Sequence, residues 1–298
     1  EIVPYADIRD SAAIRQIEFT RGGFGGISLE QPRIMGIVNV TPDSFSDGGH
    51  HGTPEAGAAH GLRLAAEGAH ILDVGGESTR PGSEAVSTDE ELARVIPAIA
   101  AIRNAGHVVS VDTRKPQVMQ EALKAGASII NDVSALSHDP ESLRTVADLG
   151  CPVVLMHAQG DPRTMQLNPH YEDVALDVYD HLEQRVGACL AAGISRANIA
   201  IDPGIGFGKT FRHNLELLNQ ITLFHGLGVV VLLGLSRKGF VGALTGEKLA
   251  SNRVNGSVGG AVQAALNGVH ILRVHDVKAT VEGLAVAMAV AAPGSKEF

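Results

Sequence analysis

Short runs of Val, Ile and Leu recur along the chain, separated by Ala-rich stretches in which apolar residues return every three to four positions. Apolar runs with little polar alternation read as strands buried on both faces, and the stretches between them as helices covering those faces. Eight such runs fit, at 33–40, 70–76, 108–113, 129–134, 152–157, 199–204, 229–236 and 270–276. The segments EELARVIPAIAAIRNAG (90–106), KPQVMQEALKAGA (115–127) and VNGSVGGAVQAALNGV (254–269) supply helices, each with a Gly near its end to stop it. Eight strand–helix units within roughly 250 residues predict a (β/α)8 TIM barrel rather than an open doubly wound sheet. The turn after the first strand, NVTPDSFSDGG, has no GxGxxG, which disfavours the dinucleotide-binding alternative. Upstream, residues 13–30 alternate polar and apolar around Gly22-Gly23, the pattern of an N-terminal β-hairpin capping the barrel bottom. No break in composition marks a second domain, so the chain reads as a single barrel domain over 1–298.

Polar residues gather where these strands end: Asn39, Glu77, Asp112, Asn131, Asp132, His157, Asp202, Ser236 to Lys238, Arg273 and His275. In a barrel those ends converge on one face, where the strand-to-helix loops build the site. Asp112, Asn131 and Asp202 together form a wall of acceptors suited to a heterocycle with an amino-pyrimidinone edge. The alternative is that the two carboxylates cap helices or pair with Lys238 and Arg273. Arg80, Arg237, Lys238, Arg273 and His275 make a positive wall opposite, of the kind that receives a diphosphate. Asn39 either offers its amide oxygen to a Mg²⁺ shared with that diphosphate or fixes the turn that follows it. The loops at 41–49 and 78–88 are rich in Gly, Ser and Pro and have the composition of lids. PGIGFGKT (203–210) misses the nucleotide P-loop, because Pro203 stands where that loop needs its first Gly.

The net charge of −9, only 4% aromatic residues and the absence of Trp argue against a nucleic-acid partner, while leaving room for a small anion in a cleft of opposite sign. Two cysteines, Cys151 and Cys189, cannot build a disulfide framework and read as reduced packing thiols in a cytoplasmic protein. No apolar run reaches bilayer length, the charged opening EIVPYADIRD does not resemble a secretory signal, and no Cys/His spacing supports zinc.

Taken together, IMGIVNVTPDSFSDGG, ILDVGGESTRPGS, VSVDTRKP, IINDVSAL, MHAQGDPRTMQ, IAIDPGIGFGKT, GLSRKGF and ILRVHDV resemble the dihydropteroate synthase family from 33 to 288. The resemblance implies a homodimeric barrel joining a (7,8-dihydropterin-6-yl)methyl diphosphate to p-aminobenzoate, with 7,8-dihydropteroate and pyrophosphate as products of a folate-forming reaction. It places the pterin ring against Asp112, Asn131, Asp202 and Lys238, walled by Met156 and Phe207. By the same resemblance Asn39, Arg273 and His275 hold the diphosphate and Mg²⁺, joined by Arg80, while Phe45, Thr79 and Pro81 flank the aryl amine beside Lys238 and Ser236. Asp112, Lys238, Arg273 and His275 are the implied catalytic set. Many relatives carry Ser after the SRK motif and this chain has Gly239, which bears on how p-aminobenzoate and sulfonamides are held. Two alternatives are a pterin-dependent methyltransferase domain, disfavoured because STRPGS, SRK and RVHD suit a diphosphate, and an idle pterin-binding relative, disfavoured because Asn39, Asp112, Lys238 and His275 are all present.

Overall fold

A computed structural model describes residues 21–41, 53–78, 83, 85–160 and 164–293. Eight parallel strands close into a barrel: β3 (Arg33–Asn39), β4 (Ile71–Gly75), β5 (Val108–Asp112), β6 (Ile129–Asp132), β7 (Val153–Met156), β8 (Ile199–Asp202), β9 (Val230–Leu233) and β10 (Ile271–Val274), with β10 pairing back onto β3. Every strand lies inside one of the eight runs read from the sequence. Outside them run α1 (Pro54–Ala66), α2 (Thr88–Asn104), α3 (Pro116–Lys124), α4 (Ser142–Leu149), α5 (Val174–Ala191), α6 (Phe211–Asn219), α7 (Gly239–Thr245), α8 (Val254–Leu266) and α9 (Val277–Ala291). The starts are set locally: Thr53, Ser87 and Asp173 accept from free backbone N–H groups of α1, α2 and α5, and Pro116 opens α3 where its missing N–H costs nothing.

The hairpin is present, but its turn lies three residues later than the sequence suggested. Strands β1 (Gly23–Phe24) and β2 (Ile27–Ser28) flank Gly25-Gly26, both at positive φ, which a two-residue hairpin turn requires. Residues 13–20 of that expected hairpin lie outside the described residues. Phe24 drives into the barrel's N-terminal end and packs with Met35, Ile71, Ile129, Val154, Ala200, Leu232 and Ile271, forming an apolar plug separate from the main core between strands and helices.

This plug decides where the chemistry goes. Strand side chains alternate with a period of two. Two residues beyond Ile71, Ile129, Val154, Ala200, Leu232 and Ile271 come Asp73, Asn131, Met156, Asp202, Gly234 and Arg273. The same parity that seals the bottom therefore aims these groups into the barrel one step nearer its open, C-terminal face.

At the bottom rim His70 and His270 each precede an Ile-Leu pair and do the same job. Their Nδ1 atoms accept from the backbone N–H of Ile34 (3.1 Å) and Val231 (3.0 Å). An acceptor nitrogen must be unprotonated, and burial, with Arg21 and His225 adding, lowers His270 to about 4; His70 is lowered too, by burial and Arg33. The unfolded chain binds protons at these histidines at higher pH than the folded one, so stability is lost as pH falls from the ordinary histidine range toward 4. We predict that urea midpoints fall over this window, and that His270→Ala costs about 1–3 kcal/mol at neutral pH and flattens the dependence. An unchanged pH dependence in that variant would remove His270 from this role.

Candidate active site

The inward groups meet at the mouth. Asp73 is fully buried in β4; its Oδ2 accepts from Arg273 Nε at 2.6 Å and from Asn131 Nδ2 at 3.0 Å. Arg273 Nη2 donates to Asp112 Oδ2 at 2.8 Å, so one guanidinium reaches across the barrel to two carboxylates. Asp202 and Arg273 flank Gly234: a methyl placed there would sit 3.7 Å from Asp202 Oδ2 and 3.8 Å from Arg273 Cβ. Asp202 Oδ1 accepts from Gly204 N–H at 2.7 Å, and its remaining oxygen faces the mouth near Lys238, whose charge opposes the carboxyl's rise.

Lys238 comes in from the start of α7. Its Nζ donates to the Ile205 carbonyl and stands 4.4 Å from the centroid of Phe207, a cation over an aromatic face. Met156 closes β7 and, with Phe207, lines a cavity on this face. The turn carrying Phe207 is held from its far side by Tyr171, whose hydroxyl donates to Gly208 O at 2.7 Å. Buried Lys209 also ties it, reaching Phe207 O at 3.0 Å and His157 Nδ1 at 2.8 Å. At Gly204 φ is +70° and an added Cβ would lie 1.9 Å from His157 O, so only glycine lets the two loops touch. We predict that Gly204→Ala costs at least about 3 kcal/mol; a variant that keeps wild-type melting would show that the two loops need not touch there.

Burial and a shortage of cations set the protonation states. Asp112 is pushed up to about 7 by burial, against the pull of Arg273 and with Asp73, Glu91 and Asp132 adding repulsion. Asp202 is raised by burial, against Lys238 and the Gly204 N–H. Burial brings Lys238 down to about 8, with Asp202 resisting. For Arg273, burial works against the charge, yet Asp73 and Asp112 more than compensate and hold it above its ordinary value.

Several sequence expectations fall out differently. The positive wall does not stand apart from the acids: Arg273 lies among them, and Arg237 turns away to form a bidentate pair with Asp276, at 2.9 and 2.5 Å. His275 lies against Ser236, its N–H and ring Nδ1 both meeting Ser236 Oγ, at 3.2 and 3.1 Å. Asn39 closes β3 with no hydrogen bond to its side chain among the described residues. Glu77, Asp132 and His157 point elsewhere. Glu77 pairs with Arg114 and Lys115, Asp132 braces its own loop through Ser134 and Leu136, and His157 serves Lys209. Phe45, Thr79, Arg80 and Pro81, with residues 42–49 of the first lid-like loop and 79–82 and 84 of the second, lie outside the described residues. Asp73 and Lys209 were not singled out from the sequence. Asp73 carried a legible signal, an acid at inward parity within an otherwise apolar strand; Lys209 carried none outside the failed P-loop pattern.

A cavity of about 320 Å³ opens on this face, bounded by Met156, Phe207, Val133, Met165, Arg114 and His181. A larger depression, about 710 Å³, lies at the opposite end against the glycine hairpin and carries no charged side chain, so it is no place for this chemistry. Among the described residues no group of three or more His, Cys, Asp or Glu is arranged to hold a metal.

The barrel mouth thus sets buried carboxylates and an amide around an arginine, beside a lysine. The family model described as pterin binding enzyme matches residues 35–275. The chain is 48% identical over 261 residues to the dihydropteroate synthase of Escherichia coli K12, covering 87% of this chain and 92% of that one. A Xanthomonas albilineans dihydropteroate synthase solved with 4-aminobenzoic acid superposes with a TM-score of 0.85 at 54% identity, over 89% of this chain and 95% of that one. The enzyme from the same organism solved with 7,8-dihydropteroate gives 0.81 at 51%, over 89% and 96%. The chain belongs to the dihydropteroate synthase family.

Proposed function

We propose that this chain joins a (7,8-dihydropterin-6-yl)methyl diphosphate to p-aminobenzoate. The methylene C–O bond breaks, a C–N bond to the aryl amine forms, pyrophosphate leaves, and the amine nitrogen loses one proton to solvent. The observation that carries the reading is the meeting of Asp73, Asp112 and Asn131 with Arg273 at one mouth, beside Asp202 and Lys238. Family membership supports it.

In this reading the pterin's amino and ring N–H groups donate to Asp202 and Asp112, Asn131 completes the edge, and Lys238 donates to the ring carbonyl. Met156 and Phe207 exclude water from the ring faces. Arg273 and His275 receive the diphosphate, with Arg80, and the amine enters between Phe45, Thr79 and Pro81, beside Lys238 and Ser236. With Gly239 in place of Ser, the benzoate carboxylate rests on backbone N–H groups at the start of α7. The diphosphate departs first, leaving positive charge on the methylene, which an ionised Asp112 stabilises before the neutral amine attacks.

Asn39 fits a Mg²⁺ that takes most of its ligands from diphosphate and water, because its amide oxygen is uncommitted and no group of three or more acidic, His or Cys side chains among the described residues is arranged to hold the ion. When bound, that ion neutralises charge on the leaving diphosphate. The reading extends to one domain, the cytoplasm and a homodimer. No helix among the described residues is long and apolar enough to cross a membrane. Val286 and Val290 on α9 and Leu266 at the end of α8 expose apolar side chains suited to a second copy.

The test is product formation by the purified chain with dihydropterin diphosphate, Mg²⁺ and p-aminobenzoate. Dihydropteroate and pyrophosphate should appear in equal amounts, both dependent on the amine. Pyrophosphate release indifferent to the amine would overturn the reading.

A further inference from the structure

Asp73 has no place in the substrate-binding set above, yet it is the residue on which that set converges. It is fully buried, sits at the centre of β4 between Ile37 and Ser110, and uses a single oxygen, Oδ2, for both Arg273 Nε and Asn131 Nδ2. Its other oxygen has no hydrogen-bond partner among the described residues. A buried carboxylate half-satisfied in this way is costly, so its charge must be needed by something it touches.

Arg273 shows what that is. The guanidinium is held at two points by two acids: the inner Nε by Asp73 and the outer Nη2 by Asp112. The inner acid has no exposure at all, whereas Asp112 and Arg273 both keep some access to the mouth. A diphosphate arriving from the mouth therefore competes for Nη2 and cannot reach Nε. We propose that Asp73 is a positioning residue, a fixed counter-ion that keeps Arg273 anchored by Nε while its outer nitrogen exchanges Asp112 for a diphosphate oxygen. The inference rests on the function proposed above and adds a part to it. The exchange captures the anion and frees the Asp112 oxygen that Nη2 had occupied. Through Asn131 Nδ2, Asp73 Oδ2 also orients the amide of the pterin wall, so the two ends of the substrate are referred to one fixed atom.

Two isosteric variants separate this from a simple field effect. Asp73→Asn and Asp112→Asn each remove one negative charge from the same mouth, and a field effect alone tightens pyrophosphate binding in both. If Asp73 anchors Arg273, the variants move in opposite directions. In Asp112→Asn the outer nitrogen is released and Mg²⁺–pyrophosphate binds tighter. In Asp73→Asn, Asp112 becomes the one acid still ion-paired with Arg273 among the described residues and holds it away from the ligand. Calorimetry with Mg²⁺ and inorganic pyrophosphate should then show about tenfold weaker binding in Asp73→Asn. That variant should lose more in kcat/KM for the pterin diphosphate than in kcat, with KM for p-aminobenzoate unchanged at saturating pterin.

Tighter or unchanged pyrophosphate binding in Asp73→Asn overturns the inference. Should Asp73→Asn not fold, a structure of the wild-type chain with Mg²⁺ and pyrophosphate decides: Arg273 Nε still on Asp73, with Nη2 moved from Asp112 to the ligand, supports the exchange. Nη2 remaining on Asp112, or Nε leaving Asp73, refutes it. A wild-type chain that ignores pyrophosphate overturns the function and the inference together; a wild type that binds it, with both variants moving the same way, overturns the inference alone.

Discussion

Asp112→Asn lowers kcat by about 10²–10³-fold without weakening pyrophosphate binding, and removes the acidic limb of the pH profile. The carboxylate closes β5, accepts from Arg273 at 2.8 Å and is buried at the mouth. A negative charge held there interacts strongly with a cation developing nearby, because the surroundings have already been organised and little solvent screens the pair. Asparagine keeps the shape and removes the charge, so the loss falls on the step in which charge develops. The protonation state gives the second signature. With Asp112 pushed up to about 7 and Lys238 brought down to about 8, kcat/KM should follow a narrow bell. It rises as Asp112 ionises and falls as Lys238 loses its proton; the two limbs belong to coupled groups rather than to either residue alone. In Asp112→Asn only the alkaline limb remains. Equal losses in kcat and in pyrophosphate affinity, with an unchanged acidic limb, would reduce Asp112 to a scaffold.

Asp202→Asn acts at the other end of the reaction, on binding. Asp202 is fixed by the Gly204 N–H on one oxygen, and the proposed pose gives the second to the ring. A carboxylate accepts from the Gly204 N–H with one oxygen and from the ring's N–H edge with the other; an amide must turn its own NH₂ toward one of these donors. A donor facing a donor in a dry pocket leaves both unpaired, and sites built to hydrogen-bond a polar ligand lose about 10⁴–10⁵-fold when such a match is broken. The loss should appear in KM for the pterin diphosphate and in the affinity for a simple pterin. KM for p-aminobenzoate, measured with pterin saturating, should hardly move. A variant that binds pterins normally would place the ring elsewhere.

The barrel was legible because strands buried on both faces leave an uninterrupted apolar signature, and eight of them in series admit few closures. The polar wall was legible at strand ends, where Asp112, Asn131, Asp202 and Arg273 interrupt that signature. What escaped was direction. Asn131 and Asp132 are consecutive acceptors, yet the first enters the barrel and the second serves its own loop, and only the phase of Ile129 distinguishes them. The same phase marks Asp73, one step above Ile71 in the plug, and reading it would have added the acid that holds Arg273. Where the arginine lies between its partners is not a matter of parity at all. It depends on a side chain long enough to cross from β10 to the acids of β4 and β5, and on two acids competing for it. The misplaced hairpin turn has a similar cause: Gly22-Gly23 and Gly25-Gly26 are equal as glycine pairs, and only the second leaves Phe24 aimed into the barrel.

The most direct test of the account is a crystal structure of the chain with dihydropterin diphosphate and Mg²⁺. The account predicts a ring edge within hydrogen-bonding reach of Asp112, Asn131 and Asp202, between Met156 and Phe207, with the diphosphate against Arg273, His275 and Asn39. A ring bound the other way round, or a diphosphate lodged away from Arg273, would contradict it.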